Sequence, residues 1–181
     1  MIDKQVISKT ENSKEEIKKM WLKRYDRFLS IILIVFVILF FIQKILCISK
    51  VSGNSMLPTY KNGQMVFVKD RHITHIKRND VILFRVNTEK VKSIYIKRVV
   101  GVPGDTIYIH NGKLYVNDEE INDNLPNMNK AGLASVPLHL EDDEYFVLGD
   151  NRNNSNDSRN LGAVKSSAII GIVAPNTPVG D

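Results

Sequence analysis

A serine at position 55 and a lysine at position 97 are the residues whose surroundings invite chemistry. Ser55 lies in Val51-Ser-Gly-Asn-Ser-Met-Leu-Pro-Thr-Tyr60. Gly53 and Asn54 tolerate positive φ, so the backbone before the serine can turn tightly and bring amide N–H groups toward one point. Pro58 fixes its own φ and pushes Leu57 toward an extended conformation, which excludes the interior of a helix. A hydroxyl held on such a segment becomes a nucleophile only when a neighbouring group takes its proton. Lys97, in Tyr95-Ile-Lys-Arg-Val-Val100, is the candidate base. An ammonium held among apolar neighbours is destabilised against its neutral amine, and the amine accepts a proton. Strand alternation sends Lys97 and Arg98 to opposite faces. On these residues alone, the Ser55 stretch also fits a surface turn and Lys97 an ordinary charge on an edge strand. Spacing does not exclude a His/Asp pair either.

Other chemistries lack their parts. His72, His75, His110 and His139 show no His-Glu-x-x-His spacing, and Cys47 is the chain's one cysteine, so neither a metallopeptidase helix, a cysteine-rich zinc site nor an internal disulfide is available. The polar stretch after Gly149 resembles a calcium loop in composition, but Arg152 stands where an oxygen ligand is required and no glutamate closes it. No metal and no organic cofactor is expected. The net charge of +5 gathers before an apolar run, which points to membrane topology rather than to nucleic acid.

The elements that must position Ser55 and Lys97 divide the 181 residues into three parts. Residues 1–27 are a charged tail with a short helix expected from Ser13 toward Trp21. Residues 28–48 are apolar except for Ser30, Gln43 and Lys44, a length that crosses a bilayer if Lys44 snorkels. Within about fifteen residues of this span, six basic residues precede it (Lys14, Lys18, Lys19, Lys23, Arg24, Arg27) and two follow (Lys50, Lys61). The amino terminus is therefore expected in the cytoplasm, with a single pass through the plasma membrane and residues 49–181 outside. Leu46-Cys-Ile48 lacks the small residues of a cleavage site, so the span reads as a retained anchor.

That outer part, about 130 residues and within the ordinary range of one domain, reads as mostly β. Strands are expected over Gln64 to Lys69, Asp80 to Val86, Ser93 to Val102, Glu144 to Leu148 and Ser167 to Val173. Asn111-Gly112 between two alternating runs predicts a hairpin over Thr106 to Asn117. Asp118 to Asp143, acidic and interrupted by Pro126 and Pro137, reads as an excursion or mobile loop.

Four stretches in order, Ser52-Gly-Asn-Ser-Met-Leu-Pro-Thr59, Arg78-Asn-Asp-Val-Ile-Leu-Phe84, Tyr95-Ile-Lys-Arg-Val-Val-Gly-Val-Pro-Gly-Asp105 and Gly149-Asp-Asn-Arg-Asn-Asn-Ser-Asn-Asp-Ser-Arg159, resemble the successive boxes of bacterial type I signal peptidases with a single anchor. The resemblance implies an antiparallel, barrel-like catalytic domain behind one transmembrane helix, and a Ser–Lys dyad that cuts exported preproteins at small-x-small sites. Carried over, Ser55 is the nucleophile, Lys97 the general base, and Ser155 a hydroxyl that hydrogen-bonds and orients the lysine. Asp157 and Arg159 form a supporting charged pair, with Asp150 in the same scaffold. Met56 is a wall of the pocket for the small residue before the cut. Where some members place an oxyanion-stabilising serine, this chain has Gly53, which leaves the Ser55 N–H and another donor for that task. Asn79 replaces a glycine before Asp80. Two rivals share the expected fold. A self-cleaving repressor needs a DNA-binding module that 27 residues cannot supply, and a non-catalytic, membrane-tethered peptide-binding factor has no need of both Ser55 and Lys97.

Overall fold

A computed structural model describes residues 3–72, 75–87 and 92–174, with the backbone alone for 3–13, 15, 41–47 and 92. The chain divides into two units, one up to Lys44 and one from Ile45 onward.

The first is helical throughout its described length, within α1 (Asp3–Ile45). Ser13 lies inside this helix rather than at its start, because no glycine or proline occurs before Gly53 and nothing interrupts the backbone ladder. The large apolar side chains from Phe28 to Phe40 are exposed. Among the described residues, no helix is long and apolar enough to cross a membrane. The apolar run of residues 28–48 changes conformation before it ends, since Leu46 to Ile48 belong to β1 (Leu46–Lys50).

The second unit is mostly β. After β1 come β2 (Met65–Asp70), β3 (Val81–Asn87), β4 (Lys92–Gly101), β5 (Thr106–His110), β6 (Lys113–Val116), β7 (Glu119–Ile121), β8 (Leu138–His139), β9 (Glu144–Leu148), the single turn α2 (Ser158–Leu161), β10 (Val164–Lys165) and β11 (Ile169–Val173). Among the described residues they form an antiparallel seven-stranded sheet, β1-β2-β11-β3-β4-β9-β10, and a four-stranded sheet, β7-β6-β5-β8. Both orders are open. Closing the larger sheet into the expected barrel-like form needs β1 against β10, and β10 is two residues long.

Burial explains why the strands were readable. In β3, Val81 and Leu83 pack with Met56, Val66, Val68 and Ile96, whereas Ile82 and Phe84 pack with Val99, Val147 and Ile169. A strand covered on both faces reads as an unbroken apolar run. The β5–β6 turn has φ of 50° at Asn111 and 77° at Gly112, as a two-residue hairpin turn with both centres left-handed requires. Asn79 has φ 75°, so asparagine serves in place of glycine there. The last strand begins later than expected, at Ile169, because Ser166–Ala168 form a 3₁₀ turn.

The stretch Asp118 to Asp143 differs most from its expectation. It carries β7, β8 and a 3₁₀ turn at Gly132–Ser135, and it buries Met128, Ala134 and Leu140 in the core beneath the smaller sheet. Its anchors are single buried residues separated by exposed ones, which leaves no periodicity to read.

Candidate active site

The Ser55 segment folds into a turn, with Tyr60 N–H donating to Met56 O at 2.9 Å and Leu57 N–H to Asn54 O at 3.3 Å. A second loop fixes it. Asn151 donates from its backbone N–H to Ser55 O and from Nδ2 to Asn54 O, both at 3.0 Å. This approach requires glycine at 149, where a Cβ would collide with Ser155 Oγ and Ser55 O.

Lys97 sits in the middle of β4, in register with Ile82 of β3, and is 2% exposed. Its Nζ lies 2.7 Å from Ser55 Oγ and donates to the Ile96 carbonyl at 2.9 Å. The Tyr95 ring centroid is 5.3 Å from the same nitrogen, and Tyr95 itself stacks on Phe84. Burial disfavours the ammonium and lowers the lysine pKa from 10.5 to about 8, although the charges of Asp157 and Asp150 pull the other way. A neutral amine is therefore within reach near neutral pH.

The loop from Gly149 to Arg159 is a charged scaffold. Buried Asp157 accepts from Arg159 Nε and Nη2, both at 2.8 Å, and from Gly149 N–H at 3.0 Å. Burial alone would raise its pKa, yet the Arg159 and Gly149 hydrogen bonds hold it below the usual carboxylate range. Arg159 also donates to the carbonyls of Arg152 and Lys130, tying the loop to the 118–143 stretch. Arg152 adds an ion pair to Asp123. Asp150, fully buried, accepts from Arg98 Nε at 2.8 Å and Nη2 at 2.6 Å.

Met56 and Ser155 stand elsewhere than the resemblance suggests, whereas Gly53 lines the cleft beside Ser55. Met56 is 0% exposed in the core; the open cleft of about 590 Å³ beside Ser55 is walled instead by Val66, Leu83, Ile96 and the Ser93–Tyr95 stretch. The turn sends Met56 inward as it sends Ser55 to the cleft. Gly53 has φ 87°, and its N–H donates to Asn62 Oδ1 at 3.0 Å, so that amide is already engaged. Ser155 Oγ is buried on the side of Asp157, whose carboxylate it helps to stabilise; the lysine amine instead meets Ser55 and its own neighbour's carbonyl. Sequence reading missed Asn151, Asn62 and Tyr95. Asn151 stood inside a recognised box, but no local pattern assigns an asparagine to a turn 97 residues away.

A mostly β body that presents a serine hydroxyl against a buried amine, at the edge of an open cleft, has the parts of a serine peptidase with lysine in place of histidine. A family model described as signal peptidase, peptidase S26, matches residues 21–175. Signal peptidase I P of Bacillus subtilis subsp. natto is 37% identical over 134 residues, covering 67% of this chain and 71% of that one. Signal peptidase I T of Bacillus subtilis (strain 168) is 35% identical over 133 residues, 67% of this chain and 68% of its own. The crystal structure of a signal peptidase I from Enterococcus faecalis V583 aligns at TM-score 0.48 and 26% identity, over 56% of this chain and 98% of that one. The chain belongs to the S26 signal peptidase family of serine endopeptidases.

Proposed function

We propose that this chain removes amino-terminal signal peptides from exported preproteins, with Ser55 as nucleophile and Lys97 as general base. The observation that carries the assignment is the 2.7 Å approach of Lys97 Nζ to Ser55 Oγ, with the lysine buried and its pKa lowered to about 8. Neutral Lys97 takes the hydroxyl proton as Ser55 Oγ attacks the scissile carbonyl. The Ser55 N–H stabilises the oxyanion, and the resulting ammonium gives its proton to the leaving amine. The amine then activates a water that hydrolyses the acyl-enzyme, regenerating the serine. Asp157, Arg159 and Asp150 act by holding the loop that fixes the Ser55 backbone.

The substrate lies extended in the cleft. Within β4, the ladder to β9 begins only at Arg98, whereas pairing with β3 extends back to Lys92. The Ser93–Ile96 stretch that lines the cleft thus offers a strand edge, and an added peptide strand gains main-chain hydrogen bonds there. The shallow apolar wall of Val66, Leu83 and Ile96 suits small side chains, consistent with small-x-small cleavage sites. Residues 1–27 form a cytoplasmic tail, an anchor lies within 28–48 with its helical part ending at Ile45, and 49–181 form the extracytoplasmic catalytic domain. The exposed apolar side chains from Phe28 to Phe40 and the basic residues before them support this topology. Confining enzyme and preprotein to one bilayer raises their effective concentration.

The test is cleavage of a preprotein with an Ala-x-Ala site by the detergent-solubilised protein, beside Ser55→Ala and Lys97→Ala, with mass spectrometry locating the cut. A cut after the second alanine, absent in both variants, is the expected result. A folded wild type that leaves several preproteins intact up to alkaline pH contradicts the assignment.

A further inference from the structure

We infer that the basic face of α1 formed by Lys19, Lys23, Arg24 and Arg27 is a binding site for the headgroup of an anionic phospholipid. The inference rests on the membrane-anchor reading above and adds a ligand to it. At about 100° per residue, these four cations and Met20 fall within an arc of about 140° on the helix. Together with Glu16 they outline a groove of about 340 Å³. Topology alone requires basic residues before a span, on any face. Here Lys14 and Lys18 point elsewhere, while the four nearest the apolar run converge.

Charge sets the occupant. Glu16 is the groove's one carboxylate against four cations. Among the described residues no ion pair engages those four; the contact seen is Arg24 over the Trp21 ring, 5.9 Å from its centroid. Arg27 directly precedes Phe28, where the exposed apolar side chains begin, so the groove ends at the level where phosphates sit when that run enters lipid. Trp21 and Tyr25 are 64% and 60% exposed on the turns just before it, and amphipathic rings favour the headgroup region. A phosphodiester accepts from several guanidinium and ammonium donors at once, and a lipid headgroup is the phosphate that this position meets.

Trp21 is the chain's one tryptophan, and its ring lies beside Arg24 at the edge of the basic face, so its emission reports lipid held against that edge. The full-length protein is placed in nanodiscs, which have no sidedness, containing either brominated phosphatidylglycerol in plain phosphatidylcholine or the reverse labelling. Quenching of Trp21 is compared at equal mole fractions of brominated lipid. The expected result is quenching by the anionic lipid about fivefold above that by the zwitterionic one, roughly one cation's worth of preference. The preference disappears in a Lys19→Gln/Lys23→Gln/Arg24→Gln/Arg27→Gln variant and persists in Lys14→Gln/Lys18→Gln. Equal quenching by the two lipids overturns the site and leaves the anchor standing. No quenching by either overturns both. A preference that persists in the fourfold variant, or that inorganic phosphate at millimolar concentration erases, also rejects a lipid site on this face.

Discussion

Two neighbouring cations of one strand have opposite fates. Arg98 meets the buried carboxylate of Asp150 through two hydrogen bonds, and the Asp150 hydrogen bond raises its pKa further. Lys97, one residue earlier, meets a hydroxyl and a carbonyl, and burial lowers its pKa to about 8. Alternation on β4 separates them: one side chain reaches a compensating charge, the other reaches none in contact. A fixed cation holds structure, and a cation that can shed its proton does chemistry. The same carboxylate, Asp150, pairs with the first and only biases the second from a distance.

The most severe way to break this contrast is Lys97→Arg. Arginine keeps charge and length but is never neutral in a protein, so it cannot serve as base. We expect a loss of roughly 10³-fold in kcat/KM, within the range attributed to general-base catalysis, measured on a soluble peptide substrate. Activity near wild type would remove lysine neutrality from the mechanism. The reciprocal variant, Arg98→Met, strips Asp150 of both donors while it is 0% exposed. Breaking a buried pair from one side costs about 3–5 kcal/mol, to be read as a lower midpoint in thermal unfolding. Adding Asp150→Asn should recover part of it, a coupling that a double-mutant cycle measures.

Lys97→Met sharpens the contrast from the stability side. The folded-state pKa of about 8 lies below the unfolded value of 10.5. The unfolded chain therefore binds more protons between those values, and stability rises with pH across that window. Below pH 8 the penalty for keeping a protonated or neutralised lysine buried is present in full, on the order of 3 kcal/mol for such a shift. Lys97→Met is thus expected to be the more stable protein at pH 7, with its advantage fading toward pH 10.5. A variant less stable than wild type at pH 7 would mean that the Ser55 and Ile96 contacts outweigh desolvation.

The parts legible in sequence were those with local causes. β-Branched residues marked β4, alternation marked the hairpin, the twofold burial of Val81 to Phe84 made β3 an apolar run, and Ser55 and Lys97 stood out by their neighbours. Sheet order was not legible, because β11 reaches its place between β2 and β3 through pairings about a hundred residues apart that leave no local period. Met56 was misplaced because adjacency to Ser55 in sequence does not decide which way a turn sends each side chain. Nor does the order of residues in the Gly149–Arg159 box reveal that Asn151 holds the Ser55 backbone while Ser155 makes no bond to the lysine.

The finest distinction between the two cations is the pH at which Lys97 loses its proton. With the neutral amine as base, kcat/KM should climb about tenfold per unit below pH 8 and level off above it. Groups that favour the ammonium set the position of that limb. Asp150→Asn removes one of the two negative charges acting on Lys97 and leaves Arg98 unneutralised, so both effects favour the neutral amine and the limb should move to lower pH. Tyr95→Leu acts more weakly. Its ring lies 5.3 Å from Nζ, a contact that stabilises a cation by about 0.5–2 kcal/mol. Losing it moves the limb down by roughly 0.4–1.5 units, while Tyr95→Phe leaves it in place. The ammonium also forms as the serine attacks, so Tyr95→Leu should lower the plateau rate even as it makes the base more available at pH 7. A limb that moves upward in Tyr95→Leu would mean that the ring acts by excluding water, and that burial alone separates Lys97 from Arg98.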